Sequence, residues 1–155
     1  MVDFTRAYHI GVRVPDLDVA MAEMGTSLGL TWAAVQERDQ SVWTPATGAV
    51  AVPLRFTYSA EGPQHLELLQ GAPGSVWHAG DAPGIHHTGV WVDDIVSETN
   101  ALVAKGWTLA AAGQSPDDGY GSFTYVVPPS GLIVELVSSA LEPMFQRWWA
   151  GGPLR

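Results

Sequence analysis

The strongest constraint on the fold is an internal repeat. The stretch YHIGVRVPDL at residues 8–17 matches HHTGVWVDDI at residues 86–95, position by position and 78 residues apart. His9 falls on His87 in this alignment, and the glycine two residues further on recurs as well. A repeated segment of this kind predicts two copies of one supersecondary unit that pack against each other.

The end of each half carries a second repeated pair. HLELL at residues 65–69 aligns with IVELV at residues 133–137, so that Glu67 falls on Glu135 at a separation of 68 residues. The second half is therefore shorter, and the difference falls in the connecting loops, where insertions are tolerated.

Hydrophobic periodicity and turn residues predict the order strand, helix and three strands in each half. The first half is predicted as strand Tyr8–Val14, a helix capped by Asp16 or Asp18 and ending near Leu28, and strands Thr31–Gln36, Ala51–Tyr58 and His65–Leu69. The second is predicted as strand His86–Val92, a helix from Asp93 or Asp94 to Lys105, and strands Trp107–Ala111, Ser122–Val127 and Ile133–Val137. The predicted boundaries are one βαβββ module at 5–70, a Gly- and Pro-rich linker at 71–83, a second module at 84–138 and an apolar tail or helix at 139–155.

Composition narrows the possible functions. The chain of 155 residues suffices for one domain with a core, and it contains no cysteine, which excludes thiolate metal sites and thiol nucleophiles. A net charge of −9 with only 7 Lys and Arg disfavours nucleic acid as a partner. No signal-peptide pattern and no apolar run of membrane-spanning length occur, so we predict a cytoplasmic protein without a membrane partner.

Four repeated polar residues interrupt otherwise apolar strands: His9, Glu67, His87 and Glu135. A buried polar side chain without a partner costs several kcal/mol, on the order of 2–7, so each of them needs one. If an approximate twofold axis relates the modules, the four converge and suit a divalent ion, namely zinc, nickel, cobalt, manganese or iron. The alternative is a pair of His–Glu hydrogen bonds, one closing each module, without a metal.

These motifs resemble the vicinal oxygen chelate superfamily, whose members include glyoxalase I, methylmalonyl-CoA epimerase, extradiol dioxygenases, fosfomycin-resistance enzymes and bleomycin-binding proteins. The resemblance spans residues 5–138 and implies an α+β fold, in which two tandem βαβββ modules form a cupped, mostly antiparallel sheet around a central cleft. It also implies that His9, Glu67, His87 and Glu135 are the metal ligands. This ligand set is similar to that of glyoxalase I. The wording GIHHTGVWVDDI is nearer to the epimerases, which typically present glutamine at the position of Glu67.

The predicted activity is that of a metal-dependent lyase, isomerase or epimerase acting through a metal-stabilised enolate on a small carbonyl compound. Glu135 is the predicted base and Glu67 its alternative. Return of the proton to the same carbon gives epimerisation, and return to its neighbour gives a glyoxalase reaction. Two alternatives remain open: an iron dioxygenase of the extradiol type acting on an aromatic substrate, and a metal-free protein that binds a small molecule.

Four further residues are candidates for contacting the substrate. Trp91 shares strand parity with His87, Arg13 with His9, and His65 with Glu67, while Tyr120 lies beside the glycine-containing loop DDGYGSF. The tail carries an apolar stripe of Leu141, Met144, Phe145, Trp148 and Trp149. It is expected to dock on the cleft mouth or on a second subunit, and we predict a homodimer.

Overall fold

A computed structural model describes all residues, 1–155. The first half contains β1 (Ala7–Arg13), α1 (Leu17–Leu28), β2 (Gln36–Thr44), β3 (Gly48–Tyr58) and β4 (His65–Gly71). The second contains β5 (Gly84–Val92), α2 (Ile95–Ala104), β6 (Thr108–Ala112), β7 (Phe123–Val127) and β8 (Val134–Ser138), followed by α3 (Glu142–Trp149). The predicted α+β fold with two βαβββ modules is therefore confirmed.

The two module helices begin in the same way. The side chain of Asp16 accepts a hydrogen bond from the backbone N–H of Val19 at 3.0 Å, and that of Asp94 accepts one from Ser97 at 2.9 Å. Each aspartate thereby satisfies a backbone donor that the first turn leaves free. The repeat in the sequence thus extends to the caps that start α1 and α2 immediately after the first strand of each module.

The second strand of the first module lies elsewhere than predicted. The prediction of a strand at Thr31–Gln36 is wrong, because β2 begins at Gln36 and continues to Thr44. Between α1 and β2, the only strand-like contact is an isolated bridge between Trp32 and Ser59. The segment QERDQSVWT has few apolar residues to reveal its alternation, and its pairing with β3 along nine residue pairs holds it in the strand.

The eight strands close into a barrel in the order β1-β4-β3-β2-β6-β7-β8-β5. The modules meet along the antiparallel β1–β5 pair, while β1–β4 and β5–β8 are parallel and the other neighbours are antiparallel. On the far side, the pair Trp43 and Ala112 joins β2 to β6. The predicted cupped sheet is therefore confirmed, and this contact closes the cup.

The tail packs against its own barrel. Phe145, Trp148 and Trp149 of α3 are buried in a core cluster that also contains residues of the barrel strands. The Trp148 indole also donates a hydrogen bond to the carbonyl oxygen of Ala34 at 3.0 Å. Of the two sites predicted for the tail, the chain's own cleft is the one observed. None of the three α-helices has the length and apolar character of a membrane span.

Candidate metal centre and cavity

The four repeated polar residues meet inside the barrel. His9 and His87 lie on the paired strands β1 and β5, and Glu67 and Glu135 lie on the parallel neighbours β4 and β8. Each residue offers one ligand atom, and these four atoms lie within 4.8 Å of one another. All four residues are buried. Each module thus supplies one histidine from its first strand and one glutamate from its last strand.

A glycine across the β1–β5 pair makes room for each imidazole. His9 is opposite Gly89 and His87 is opposite Gly11. A Cβ atom added to Gly89 would lie 1.8 Å from the His9 ring, and one added to Gly11 would lie 2.0 Å from the His87 ring. The repeated pattern His-x-Gly therefore has a steric reason, since each glycine accommodates the histidine of the other module.

The spacing of the ligand atoms fits a divalent ion. The two histidine Nε2 atoms are 2.9 Å apart, and each lies 3.0–3.3 Å from the nearest oxygen of Glu67 and of Glu135. An ion with bonds of about 2.1 Å to nitrogen and oxygen places neighbouring octahedral ligands about 3.0 Å apart. Oε2 of Glu67 is buried and makes no hydrogen bond. The four residues could therefore hold a divalent ion.

Charge and burial act in opposite directions on the pKa values of this cluster. Burial lowers the pKa of His87, but the carboxylates of Glu135 and Glu67 outweigh it and raise that pKa to about 9. The pKa of His9 is raised in the same way. Burial raises the pKa of each glutamate, but the two histidines outweigh it and hold both pKa values below their usual range. These directions favour ionised carboxylates, the form that binds a metal, and protonated histidines, whose protons a bound ion would displace.

The residue before each histidine sits at an irregularity in the β1–β5 pair. The register shifts between Ala7 and His9, which leaves Tyr8 without a partner, and it shifts again beside Gly11, which leaves His86 without one. A bulge redirects a side chain that simple alternation would send to the other face. Nδ1 of His86 lies 3.0 Å from Nδ1 of His87, and Tyr8 lines the cavity described next.

A cavity extends from the four-residue cluster through the barrel interior. The space within it that admits water-sized spheres is about 90 Å³, its mouth is open to solvent, and both Glu67 and Glu135 line it. Its walls are mainly apolar and aromatic, formed by Tyr8, Leu54, Phe56, Tyr58, Leu69, Trp77, Phe123, Tyr125, Val137, Leu141 and Phe145. A mainly apolar lining with a few polar groups at one end is typical of a site for a small organic molecule.

Several cavity residues were not predicted from the sequence. Arg38 and Gln40 belong to β2, the strand that was placed wrongly. Tyr58 is opposite Glu67 on the neighbouring strand. Its place could have been predicted by pairing the strand that contains LEL with the apolar strand that precedes it in the sequence. Trp77 comes from the predicted linker, is buried, and donates a hydrogen bond to the Tyr125 hydroxyl at 2.9 Å.

The four substrate-contact candidates are placed outside this cavity. Arg13 donates to the carbonyl oxygens of Val76 and Ala82. His65 stacks on Trp149 with ring centroids 3.7 Å apart, and its Nδ1 lies 2.7 Å from the carbonyl oxygen of Ser59.

Trp91 and Tyr120 also have other partners. Trp91 stacks face to face on Tyr8 at 3.8 Å, so that only Tyr8 of this pair lines the cavity. Tyr120 belongs to a separate core cluster beside α2, and its hydroxyl donates a hydrogen bond to Asn100.

Comparisons with solved structures show the same fold. A hypothetical protein of Bacillus halodurans matches with a TM-score of 0.61 and 18% identity over 86% of this chain and 93% of that one. A variant of Streptomyces coelicolor methylmalonyl-CoA epimerase in complex with 2-nitronate-propionyl-CoA matches with a TM-score of 0.58 and 21% identity over 87% and 94%. The Mycobacterium tuberculosis methylmalonyl-CoA epimerase matches with a TM-score of 0.58 and 19% identity over 86% and 87%.

No curated protein matches the chain by sequence. The family model described as Glyoxalase/Bleomycin resistance protein/Dioxygenase superfamily matches residues 8–125, which is most of the chain and includes three of the four clustered residues. The match agrees with the paired modules and with the resemblance stated from the motifs. The chain therefore belongs to the glyoxalase/bleomycin resistance/dioxygenase superfamily.

Proposed function

We propose that this protein is a divalent-metal enzyme that removes and returns a proton next to a carbonyl group, as a lyase, isomerase or epimerase of its superfamily. The observation that carries the proposal is the position of two carboxylates. Glu67 and Glu135 belong to the four-residue cluster and also line the cavity, so the same groups would face both a bound ion and a bound substrate.

His9, Glu67, His87 and Glu135 are the residues that would hold the ion. The ion, when bound, supplies Lewis-acid stabilisation of the negative charge that develops on a carbonyl oxygen. The two histidines are enclosed by strands and do not line the cavity, which suits them to a purely ligating role. The glutamates reach the cavity and are ionised, which suits one of them to accept a proton.

We assign proton transfer to Glu135 and retain Glu67 as its alternative. A carboxylate that contacts the substrate can take a proton from carbon and return it to the same carbon or to its neighbour. Tyr8, Tyr58 and Tyr125 surround the carboxylates, and burial followed by the nearby glutamate charges raises the pKa of each phenol well above its usual value. These phenols therefore stay protonated and can donate hydrogen bonds to substrate oxygens.

The first test is elemental analysis of purified, dialysed protein beside the double variant His9→Ala, His87→Ala. The proposal expects about one divalent ion per chain in the wild type and none in the variant. A matched double variant outside the cluster, His65→Ala with His78→Ala, should keep the ion. A wild type that carries no ion and takes none up from zinc, nickel, cobalt, manganese or iron salts would contradict the proposal and favour a metal-free binding protein.

The second test follows proton exchange in D₂O by NMR, with carbonyl compounds that carry an acidic C–H. Metal-dependent incorporation of deuterium into one of them supports enolate chemistry. Oxygen consumption with a catechol by the iron-loaded protein, without any exchange, would instead identify the dioxygenase alternative.

We also propose that the chain forms a homodimer. The closed barrel and the docked α3 still leave large apolar side chains in water, including Ile85, which is 78% exposed, and Leu132, which is 53% exposed. Sedimentation equilibrium should give twice the chain mass, and a monomer at micromolar concentration would contradict this assembly.

A further inference from the structure

We propose that the cavity selects a short anionic ligand, a mainly apolar molecule whose acid group ion-pairs with Arg38 while its other end reaches the metal cluster. This inference rests on the proposed function and names a substrate class for it. Arg38 is the one Lys or Arg residue among the sixteen that line the cavity. The chain carries 16 acidic and only 7 basic residues, and Arg38 places one of these few cations, exposed to solvent, on the rim of the cavity.

The guanidinium of Arg38 is held in place but has no acidic partner. Its Nε donates a hydrogen bond to Oε1 of Gln40 at 2.9 Å, and its carbon lies 5.0 Å from the centre of the Phe56 ring. These two contacts orient the planar group and leave both terminal nitrogens without a hydrogen bond or ion pair in the chain. A fixed fork with two free N–H edges is the geometry that binds a carboxylate through two parallel hydrogen bonds.

The other arginines of the barrel are used differently. Arg55 on the next strand pairs with Asp18 and Glu37, and Arg6 pairs with Asp93. Arg13 donates to two backbone carbonyls. Among these arginines, Arg38 is distinguished by two terminal nitrogens that have no partner in the chain and by its place at the cavity.

The register of the strands sets the length of the ligand. Arg38 is opposite Leu54, and Glu67 is opposite Tyr58, four residues further along β3. Four strand residues span about 13 Å. The guanidinium leans over Phe56, half way along this span, which shortens the distance to the carboxylates. One aromatic ring with a short acidic arm fits this length, whereas a nucleotide-bearing thioester would extend past Arg38.

The chemistry of the cavity defines the rest of the ligand. Its middle is walled by side chains such as Phe56, Leu69, Phe123 and Val137, which favour a ring or a branched alkyl group. An ion held by the four-residue cluster would bind an oxygen atom of the ligand, and a hydroxamate supplies such oxygen atoms in a probe. The inferred ligand therefore has an oxygen-bearing head, an apolar body and an acid at the opposite end.

The test compares two hydroxamates that differ only in charge. Calorimetry on the zinc-loaded protein measures binding of 4-(carboxymethyl)benzohydroxamate and of its amide analogue, 4-(carbamoylmethyl)benzohydroxamate. A hydrogen-bonded carboxylate–guanidinium pair should favour the acid by about 10- to 100-fold. Arg38→Gln should abolish that preference and leave the amide within about twofold, while Arg55→Gln, the same charge change on the outward face of the neighbouring strand, should retain it.

Equal affinity of the wild type for acid and amide, or a preference that survives in Arg38→Gln, would overturn the inference. The same titrations on chelator-treated protein separate it from the proposed function. If zinc makes no difference to either probe but the acid preference still depends on Arg38, the metal proposal fails and the anion site stands. Binding of neither probe to either form overturns the anion site as well.

Discussion

The two modules supply the same ligands but surround them differently. In the second module, Nδ1 of His87 lies 3.0 Å from Nδ1 of His86, so the ring that faces the cluster has a hydrogen-bond partner behind it. In the first module, Nδ1 of His9 is buried without any partner, and Tyr8 occupies the position equivalent to His86. Tyr8 contacts His9 edge to face, with ring centroids 4.4 Å apart.

The difference shows which part of the repeat the metal cluster constrains. The ligands, their facing glycines and the neighbouring glutamates recur in both modules because they occupy one small volume. The bulged residue lies outside that volume, so the modules diverged there. His86 can hold its ligand in one orientation, whereas Tyr8 contributes an aromatic wall to the cavity.

Substitution of the repeated glycines should lower zinc affinity equally in both modules, and this is the largest effect expected. Gly11→Ala and Gly89→Ala each place a methyl group within 2.0 Å of an imidazole ring. Because ligands must be held to within about 0.5 Å, zinc affinity should fall by about 100-fold or more in either variant. Competition with a chromophoric chelator measures it. Gly25→Ala in α1, where the added group meets Trp32 at 3.2 Å, is the control, and unchanged affinity in Gly11→Ala would refute the steric explanation.

Substitutions of the two glutamates should have different effects, because one is the proposed base and the other a metal ligand only. Glu135→Gln is expected to slow deuterium exchange into a carbonyl substrate by about 10²- to 10⁴-fold, since an amide cannot accept the proton. Glu67→Gln should weaken zinc binding but slow exchange less. Exchange rates at saturating zinc, measured by NMR, compare the variants, and the reverse order would assign the base to Glu67.

The two residues at the β1–β5 irregularities, Tyr8 and His86, should differ in their effect on zinc binding. His86→Ala removes the partner of a ligand and should weaken zinc binding by about 10- to 100-fold. Tyr8→Phe removes a hydroxyl that makes no hydrogen bond and should change zinc affinity by less than about twofold. Chelator competition serves for both. If the two variants weaken binding equally, the proposed asymmetry of the modules is wrong.

The smallest effect is the pH dependence of the chelator-treated protein. The pKa of His87 is raised to about 9, so its contribution to stability is complete below about pH 6.5 and is lost as the pH rises towards 9. Burial, followed by the charges of His87 and Arg13, lowers the pKa of His86 to about 4. The contribution of His86 is therefore present above pH 6.5 and lost as the pH falls towards 4.

The thermal unfolding midpoint, measured from pH 5 to 9, should accordingly be highest near pH 6.5. His86→Ala should flatten the acid side, and zinc should remove the decline on the alkaline side because the ion replaces the protons. A midpoint that stays constant from pH 6.5 to 9 without metal would show that the His87 pKa is not raised.

The sequence by itself determined the two βαβββ modules and the convergence of four polar residues. This was possible because a repeat reports symmetry directly, and because a histidine or glutamate in an apolar strand requires a partner. The helix starts at Asp16 and Asp94 were predictable for a similar reason, since capping depends only on neighbouring residues.

Only the tertiary structure decided what lies around the cluster. Strand alternation placed His86 away from His87, but a one-residue shift between β1 and β5 brings them into contact. Arg38 became a cavity residue because the polar strand β2 is held by its pairing with β3. Register, bulges and barrel closure depend on contacts between distant segments, and local periodicity does not encode them.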